Sequence, residues 1–433
     1  MTKLILMLGA LALTSLTGCV EADHEFSKLA PGIWRATLTL EDKVIISAGD
    51  DNMPILQDNI ELPFTFEVKY ATRDSFYIEL INGEERIIVD DIFYGRDMAV
   101  AKDTLLIKFP VFDTYIKAIY VENVLQGEWV VNYREKYRIP FVAYHGQAHR
   151  FQTDGIPADQ DISGRWHTVF DRDTEDEYPA IGVFKQDGNH LSGTFLTETG
   201  DYRYLDGMVR ANKFFLSCFD GSHAFLFQGK VMDDGKLLGT FFSGNHYKGL
   251  FESERDEDYE LSSPFDMTSP VNNQEPLAFS FPNSDGDMVS LADPQYDGKV
   301  KIVKIMGTWC PNCKDQTDYL INYLKEEDPE NVEVIALSFE RYRNDAKGME
   351  AIKTFKSRFE VPYPVLYGGY YDKAEASQKI PQISQILSYP TLLFVDKNNL
   401  IRHIHTGFAG PATDEYKIFN REFKKIVNEL SAE

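Results

Sequence analysis

Cysteine is scarce in this chain: 433 residues hold four thiols, Cys19, Cys218, Cys310 and Cys313. So few, so unevenly placed, cannot form the disulfide framework that staples small secreted domains, and each thiol needs its own explanation. Positive charge is also short. Lys and Arg number 44 against 68 Asp and Glu, a formal net charge of −24, which leaves no basic footprint for a phosphate backbone and excludes nucleic acid as an expected partner. After the first twenty residues no apolar run approaches the ~20 residues that a membrane-spanning helix needs. The remaining composition is that of a folded protein, 43% hydrophobic, 26% charged and 13% aromatic. At ~100–200 residues per domain the length predicts two to four domains.

The chain opens with one cation, Lys3, then an apolar run from Leu4 to Leu13, and reaches Leu16-Thr17-Gly18-Cys19. That order is a secretory signal, with an apolar part too short to persist as a membrane helix. Its end resembles a bacterial lipobox, which implies removal of residues 1–18 and lipidation of Cys19. The expected product is a soluble body tethered by lipid at the periplasmic side of a bacterial membrane, where disulfides persist. Val20, standing where an aspartate retains many lipoproteins at the inner membrane, favours the outer one.

Residues 19–151 read as a β-rich domain. Alternation in Trp34-Arg35-Ala36-Thr37-Leu38-Thr39-Leu40 and Phe64-Thr65-Phe66-Glu67-Val68 predicts strands, and Asn82-Gly83 between two apolar runs predicts a hairpin. A polar stretch, 147–160, precedes a second β-rich meander over 162–254, punctuated by Asp187-Gly188, Asp220-Gly221 and Asp234-Gly235. Gly-x-Trp occurs at Gly32, Gly127 and Gly164, too irregularly for a solenoid repeat. A Trp so placed plugs the end of a small up-and-down barrel in lipocalin-like folds. Residues 255–275 read as a linker, and 276–433 as an α/β domain. There, helical periodicity over 315–324, 346–359 and 415–430 alternates with apolar strands over 300–306, 332–339 and 391–395. The expected fold class is therefore multidomain, with an all-β, barrel-like region ahead of an α/β domain.

The chemistry concentrates in Gly307-Thr308-Trp309-Cys310-Pro311-Asn312-Cys313-Lys314. The motif follows a buried strand and opens a helix, so Cys310 meets the unpaired N–H groups and positive dipole end that favour a thiolate. Cys313, one turn along, can reach it. Cys310 is expected to attack a disulfide and Cys313 to resolve the mixed disulfide. Zinc would need two more nearby ligands, and c-type haem a His where Lys314 stands, so no metal or cofactor is expected beyond the redox-active disulfide. Cys218, in an apolar strand, reads as a small buried hydrophobe. His403 and His405 read as exposed strand positions, and His190, His223 and His246 sit near turns with no ligand spacing.

Strand, Trp-Cys-x-x-Cys and helix, followed by Tyr389-Pro390-Thr391 before Leu392-Leu393-Phe394-Val395-Asp396, resemble the thioredoxin superfamily. The preceding hairpin and the insertion from Glu340 to Gln385 look like the TlpA/ResA-like thiol-disulfide oxidoreductases in lipoprotein form, over about 275–430. The resemblance implies a cis Pro390 facing the disulfide and a substrate groove shaped by Trp309, Pro311, Tyr389, Pro390 and Thr391. It also implies protein or small-molecule disulfides as substrates, a largely reductive direction, and a membrane thiol-disulfide transporter as electron donor. The chain departs from the pattern at three places. Asn312 replaces the usual proline before the second cysteine, Lys304 stands where thioredoxin buries an acid, and Gln316 where ResA-like proteins carry Glu. Lys304 could favour the thiolate by charge, and Glu340, at a strand's C-terminal end, could supply a carboxylate. Two other functions stay open. One is a ligand- or partner-binding lipoprotein with an accessory redox fold. The other is a thiol peroxidase, although the Pro seven residues before a peroxidatic Cys is absent.

Overall fold

A computed structural model describes residues 26, 28–41, 60–99, 101–152 and 154–433. The segment 1–18, expected to be a signal peptide, and Cys19, the expected lipidation position, lie outside them. Among the described residues no helix is long and apolar enough to cross a membrane.

Among the described residues the first β unit is a nine-stranded antiparallel meander. Its first strand, Gly32–Leu40, pairs with both Ile60–Thr72 and the last strand, Tyr137–His145, while Glu85–Val89 and Ile92–Asp97 are the two edges. The second unit closes completely. Eight of its nine antiparallel strands form a ring from Gly164–Phe170 to Tyr247–Arg255, these two pairing with each other from Trp166↔Arg255 to Phe170↔Phe251, and the ninth, Gly200–Asp201, pairs with His190–Thr197. Closure leaves no edge to template aggregation.

Both units begin with the same device. Gly32 (φ +101°) and Gly164 (φ +113°) take a conformation open to glycine. Two residues on, the indole N–H of Trp34 donates to Ala30 O at 3.0 Å and that of Trp166 to Ile162 O at 2.9 Å. The third Gly-x-Trp differs: Gly127 lies mid-strand, where a Cβ would come within 1.9 Å of Lys117 O. The closed barrel is not hollow. Phe170, Phe195, Phe214, Phe227, Phe241 and Phe251 are buried inside it, with Phe227 stacked on Phe241 at 4.4 Å. At about 1.5–3 kcal/mol per buried Phe, this interior is the unit's main source of stability.

The stretch expected to separate the two β units instead joins them. Arg150 is buried there, donating to Ser217 O at 2.9 Å and to Ile81 O, and pairing with Asp206 at 3.2 Å. Asn82, expected in a turn, lies one residue before it: the loop is Gly83-Glu84, and the buried Asn82 amide clasps the backbone of Phe219, donating to O at 3.0 Å and accepting from N–H at 3.3 Å.

The α/β unit opens with a hairpin, β1 (Ser280–Pro282) and β2 (Met288–Ser290). There follow β3 (Val300–Met306), α1 (Pro311–Glu327), β4 (Val332–Glu340), α2 (Asp345–Arg358), β5 (Val365–Tyr370), α3 (Lys373–Ser377), β6 (Thr391–Val395), β7 (Ile401–Thr406) and α4 (Glu415–Ala432). The sheet order is β5-β4-β3-β6-β7, with β3, β4 and β5 parallel and β6 and β7 antiparallel. Every residue of β3 is buried, Lys301 and Lys304 included, so it is the central strand. Phe419, Phe423, Ile426, Val427 and Leu430 form the apolar stripe that docks α4. The acidic, Ser- and Pro-rich stretch before this unit contributes packing of its own: Thr406 N–H donates to Pro264 O at 2.9 Å, and its hydroxyl to Thr268.

Candidate redox site

The central strand ends at Met306, and the chain turns through Gly307-Thr308-Trp309 into α1. Gly307 is required because Trp309 folds back on it: a Cβ would sit 2.3 Å from the indole nitrogen, which donates to Phe339 O at 2.9 Å. Cys310 is the N-cap of α1 and Pro311 its first residue, where a missing N–H costs nothing. The Cys310 sulfur accepts from the Cys313 N–H at 3.2 Å and lies 3.3 Å from Tyr389 O. The Tyr389–Pro390 peptide bond, which the resemblance implies to be cis, is cis, and it brings Tyr389 over the thiol. Thr391, fully buried, donates to Ser388 O and fixes that loop from below.

Burial alone would raise the Cys310 pKa. Hydrogen bonds from the Cys313 thiol and N–H, then the charges of Lys304 and Arg341, outweigh it and hold Cys310 below the ordinary thiol value. Cys313 goes the other way, pushed up by burial and by Cys310 itself. The pair is thus polarised into a nucleophile and a protonated resolver. Lys304 does not reach for solvent. Its ammonium lies under α1, donating to Cys313 O at 2.7 Å and to the Thr317 hydroxyl, with its pKa pushed by burial down to about 8. Glu340 is also fully buried. It accepts from Thr308 N–H at 3.2 Å, Thr308 Oγ1 at 2.7 Å and Ser338 Oγ, so it braces the turn leading to Cys310 instead of touching sulfur, and burial raises its pKa. Gln316 packs in the same layer with both amide atoms unpartnered.

Sequence reasoning missed what the second β unit does here. The two-residue strand Gly200–Asp201 lies against the redox loops: Gly200 bridges to Phe408, and Thr199 O accepts from the Ser388 hydroxyl at 3.2 Å. The Asn312 amide donates to both Asp201 O and Phe408 O at 3.4 Å. Cys310 is left only 7% exposed. Just beyond, Arg203 is buried among Glu85, Asp220 and Asp315, so one guanidinium ties both β units to α1. Arg341 was also missed, although it follows Glu340 directly at a strand's C-terminal end, the edge where open α/β sheets bind ligands. Its guanidinium lies 4.5 Å from the Trp309 ring centre and 3.9 Å from that of Tyr133.

Other expectations divide. Cys218 is fully buried in the second barrel's core, and burial raises its pKa. His403 is exposed, whereas His405 is buried between Phe265 and Phe419 and its pKa is lowered to about 4 by that burial. Strand alternation placed it outside, but the connecting stretch covers that face. Among the described residues no group of three or more His, Cys, Asp or Glu is placed to hold a metal ion.

A family model described as Redoxin matches residues 270–418. The C-terminal unit is a thioredoxin-like domain. The thioredoxin-like protein YneN of Bacillus subtilis is 25% identical over 140 residues, which cover 32% of this chain and 74% of that protein. Two solved structures are similar to the thioredoxin domain. One is a thiol:disulfide interchange protein of the thioredoxin family from Chlorobium tepidum (19% identity, 38% of this chain and 99% of that one, TM-score 0.27). The other is a DsbF homologue from Corynebacterium diphtheriae (16% identity, 40% and 99%, TM-score 0.29). These matches cover less than half of the chain.

Proposed function

We propose that this protein is an extracytoplasmic thiol-disulfide oxidoreductase, anchored by lipid at Cys19 and working in the reductive direction. The observation that carries the reading is the asymmetry of the pair: Cys310 at the helix N-terminus, accepting the Cys313 N–H at 3.2 Å and held low, beside Cys313 held high. The Cys310 thiolate attacks one sulfur of a substrate disulfide, forming a mixed disulfide and expelling the first substrate thiolate. Cys313 then loses its proton and attacks the Cys310 sulfur, expelling the second. Two electrons pass from the pair to the substrate, which leaves as two thiols once protonated, and a Cys310–Cys313 disulfide remains. Lys304 supplies positive charge to the thiolate from beneath. Trp309, Pro311 and the Tyr389-Pro390-Thr391 loop shape the surface on which substrate sulfur lands. An external dithiol, a membrane thiol-disulfide transporter in the reading offered here, re-reduces the pair.

The TlpA/ResA-like resemblance supports the reductive direction, and the lipobox-like segment supports the location. The test is the reduction potential of the pair in glutathione or dithiothreitol buffers, with Cys310→Ser as control. A value near about −270 mV supports a reductase, and one near about −120 mV an oxidase. A pair that does not cycle overturns the reading in favour of a binding lipoprotein.

A further inference from the structure

The sulfur of Cys310 does not face open solvent. It lies at the floor of a cavity of about 240 Å³ bounded by Trp309, Asn312, Tyr389 and the Thr199–Tyr202 segment of the second barrel. A larger cavity of about 700 Å³ adjoins it, and the two share Thr197, Thr199, Tyr202, His223, Phe225 and Arg341 as walls. That size is within the ~300–1,000 Å³ range of small-molecule sites. Meanwhile Thr199 and Gly200 contact Ser388 and Phe408, close to the edge at Pro390 where an extended peptide would add as a strand, and compete with a peptide for that space.

The walls state a chemistry. Arg341 stands at the junction of the two cavities, sandwiched against Trp309 and Tyr133, and its Nη1 is buried with no hydrogen-bond partner. A buried guanidinium N–H without an acceptor is costly unless a ligand supplies one. Arg134 lines the larger cavity with its guanidinium over the rings of Tyr133 and Tyr137. The larger cavity, but not the one at the sulfur, is also lined by carboxylates, the exposed Asp176 and the half-buried Glu198. A guanidinium lining both cavities, tyrosine sides and carboxylates only in the larger one match a small molecule with a carboxylate near its disulfide and an ammonium farther away.

Resting on the exchange reading above, we infer that the substrate is a low-molecular-weight disulfide of amino-acid or short-peptide type, bound in the barrel-walled cavity with its carboxylate on Arg341. The second barrel is then the specificity element of the enzyme. Exchange proceeds as written above, with each half of the small disulfide leaving as a free thiol, and an external dithiol restores the pair.

The prereduced full chain is mixed separately with glutathione disulfide, uncharged hydroxyethyl disulfide and insulin, and oxidation is counted by mass after maleimide quenching. Glutathione disulfide should oxidise the pair about tenfold faster than either other probe, the scale of one charge-assisted hydrogen bond. Arg341 also helps hold the Cys310 thiol low, so Arg341→Gln slows every probe, and the readout is the ratio of glutathione disulfide to hydroxyethyl disulfide, which should fall toward one. Arg134→Gln should lower the same ratio and serves if the first variant does not fold. Faster oxidation by insulin, equal rates for the two small probes, or a ratio unchanged in both variants overturns the proposed substrate while leaving exchange intact. A pair inert to all three overturns exchange itself, and this assignment with it.

Discussion

Arg203, in the second barrel, and Asp315, two residues past Cys313 in the redox helix, form an ion pair of 2.6 Å in which the guanidinium side chain is 5% exposed. The same guanidinium reaches Glu85 at 2.5 Å and Asp220 at 3.3 Å. Burial opposes its charge, yet these three carboxylates raise its pKa well above the ordinary value. Arg203→Met leaves three acids facing one another. We expect a loss of about 3–5 kcal/mol, the usual result of breaking a buried pair from one side. Urea denaturation followed by circular dichroism measures it, and a change under about 1 kcal/mol would show that the network adds no net stability.

Lys304 lies beneath the redox pair and favours the Cys310 thiolate. In Lys304→Met the pH profile of Cys310 alkylation by iodoacetamide should move up toward the ordinary thiol range. The same variant has a linkage signature. Burial lowers the folded-state pKa of Lys304 to about 8 from 10.5, so between these values the unfolded chain binds more protons and stability rises with pH. The wild type should therefore gain stability relative to the variant from pH about 8 to 10.5. An alkylation profile that does not move removes Lys304 from the mechanism.

Asp201 behaves as the opposite case. Burial raises its pKa from 3.8 to about 6 despite Arg203 nearby, and its carboxylate accepts from Gly410 N–H at 2.7 Å. Below both values the acid is protonated in folded and unfolded chains alike. Between them the folded chain holds the proton more tightly, so stability falls as pH rises from 3.8 to about 6. Asp201→Asn should flatten that stretch of a stability-against-pH curve. An unchanged slope would assign the fall to other groups.

Gly200 makes the close approach over the redox loops possible, since a Cβ there would come within 2.4 Å of Asn312 Nδ2 and 2.9 Å of Phe408 O. In Gly200→Val the small strand must lift. Cys310 alkylation should accelerate about tenfold if the displacement costs about 1.4 kcal/mol, within the usual range for overpacking. Unchanged alkylation would mean that the Gly200–Asp201 strand does not shield the thiol.

The thioredoxin domain was legible because its signals are local: a strand, a cysteine pair at a helix start and a proline before a late strand all follow one another in the chain. The central strand over 300–306 and the late strand over 391–395 lie where apolar runs put them, while α1 begins four residues before its periodicity does, at Pro311. Strand β5 and helix α3 were missed, the helix being only five residues long and the strand interrupted by Gly368 and Gly369. What the sequence could not reveal is where the β units touch the redox pair. Asp201 and Asn312 are 111 residues apart in the chain yet in contact, and neither belongs to a periodic or spaced pattern. Asn82 misled for a related reason. Its residue type favours turns, but a tertiary partner, Phe219, took its amide.

The cover that Thr199 and Gly200 place beside Pro390 sets how electrons circulate among neighbours. A thiol left 7% exposed at the floor of a cavity is shielded from large disulfide carriers around it. Proteins that insert disulfides and this pair could then share one compartment with little exchange between them, their separation resting on shape rather than on a difference in potential.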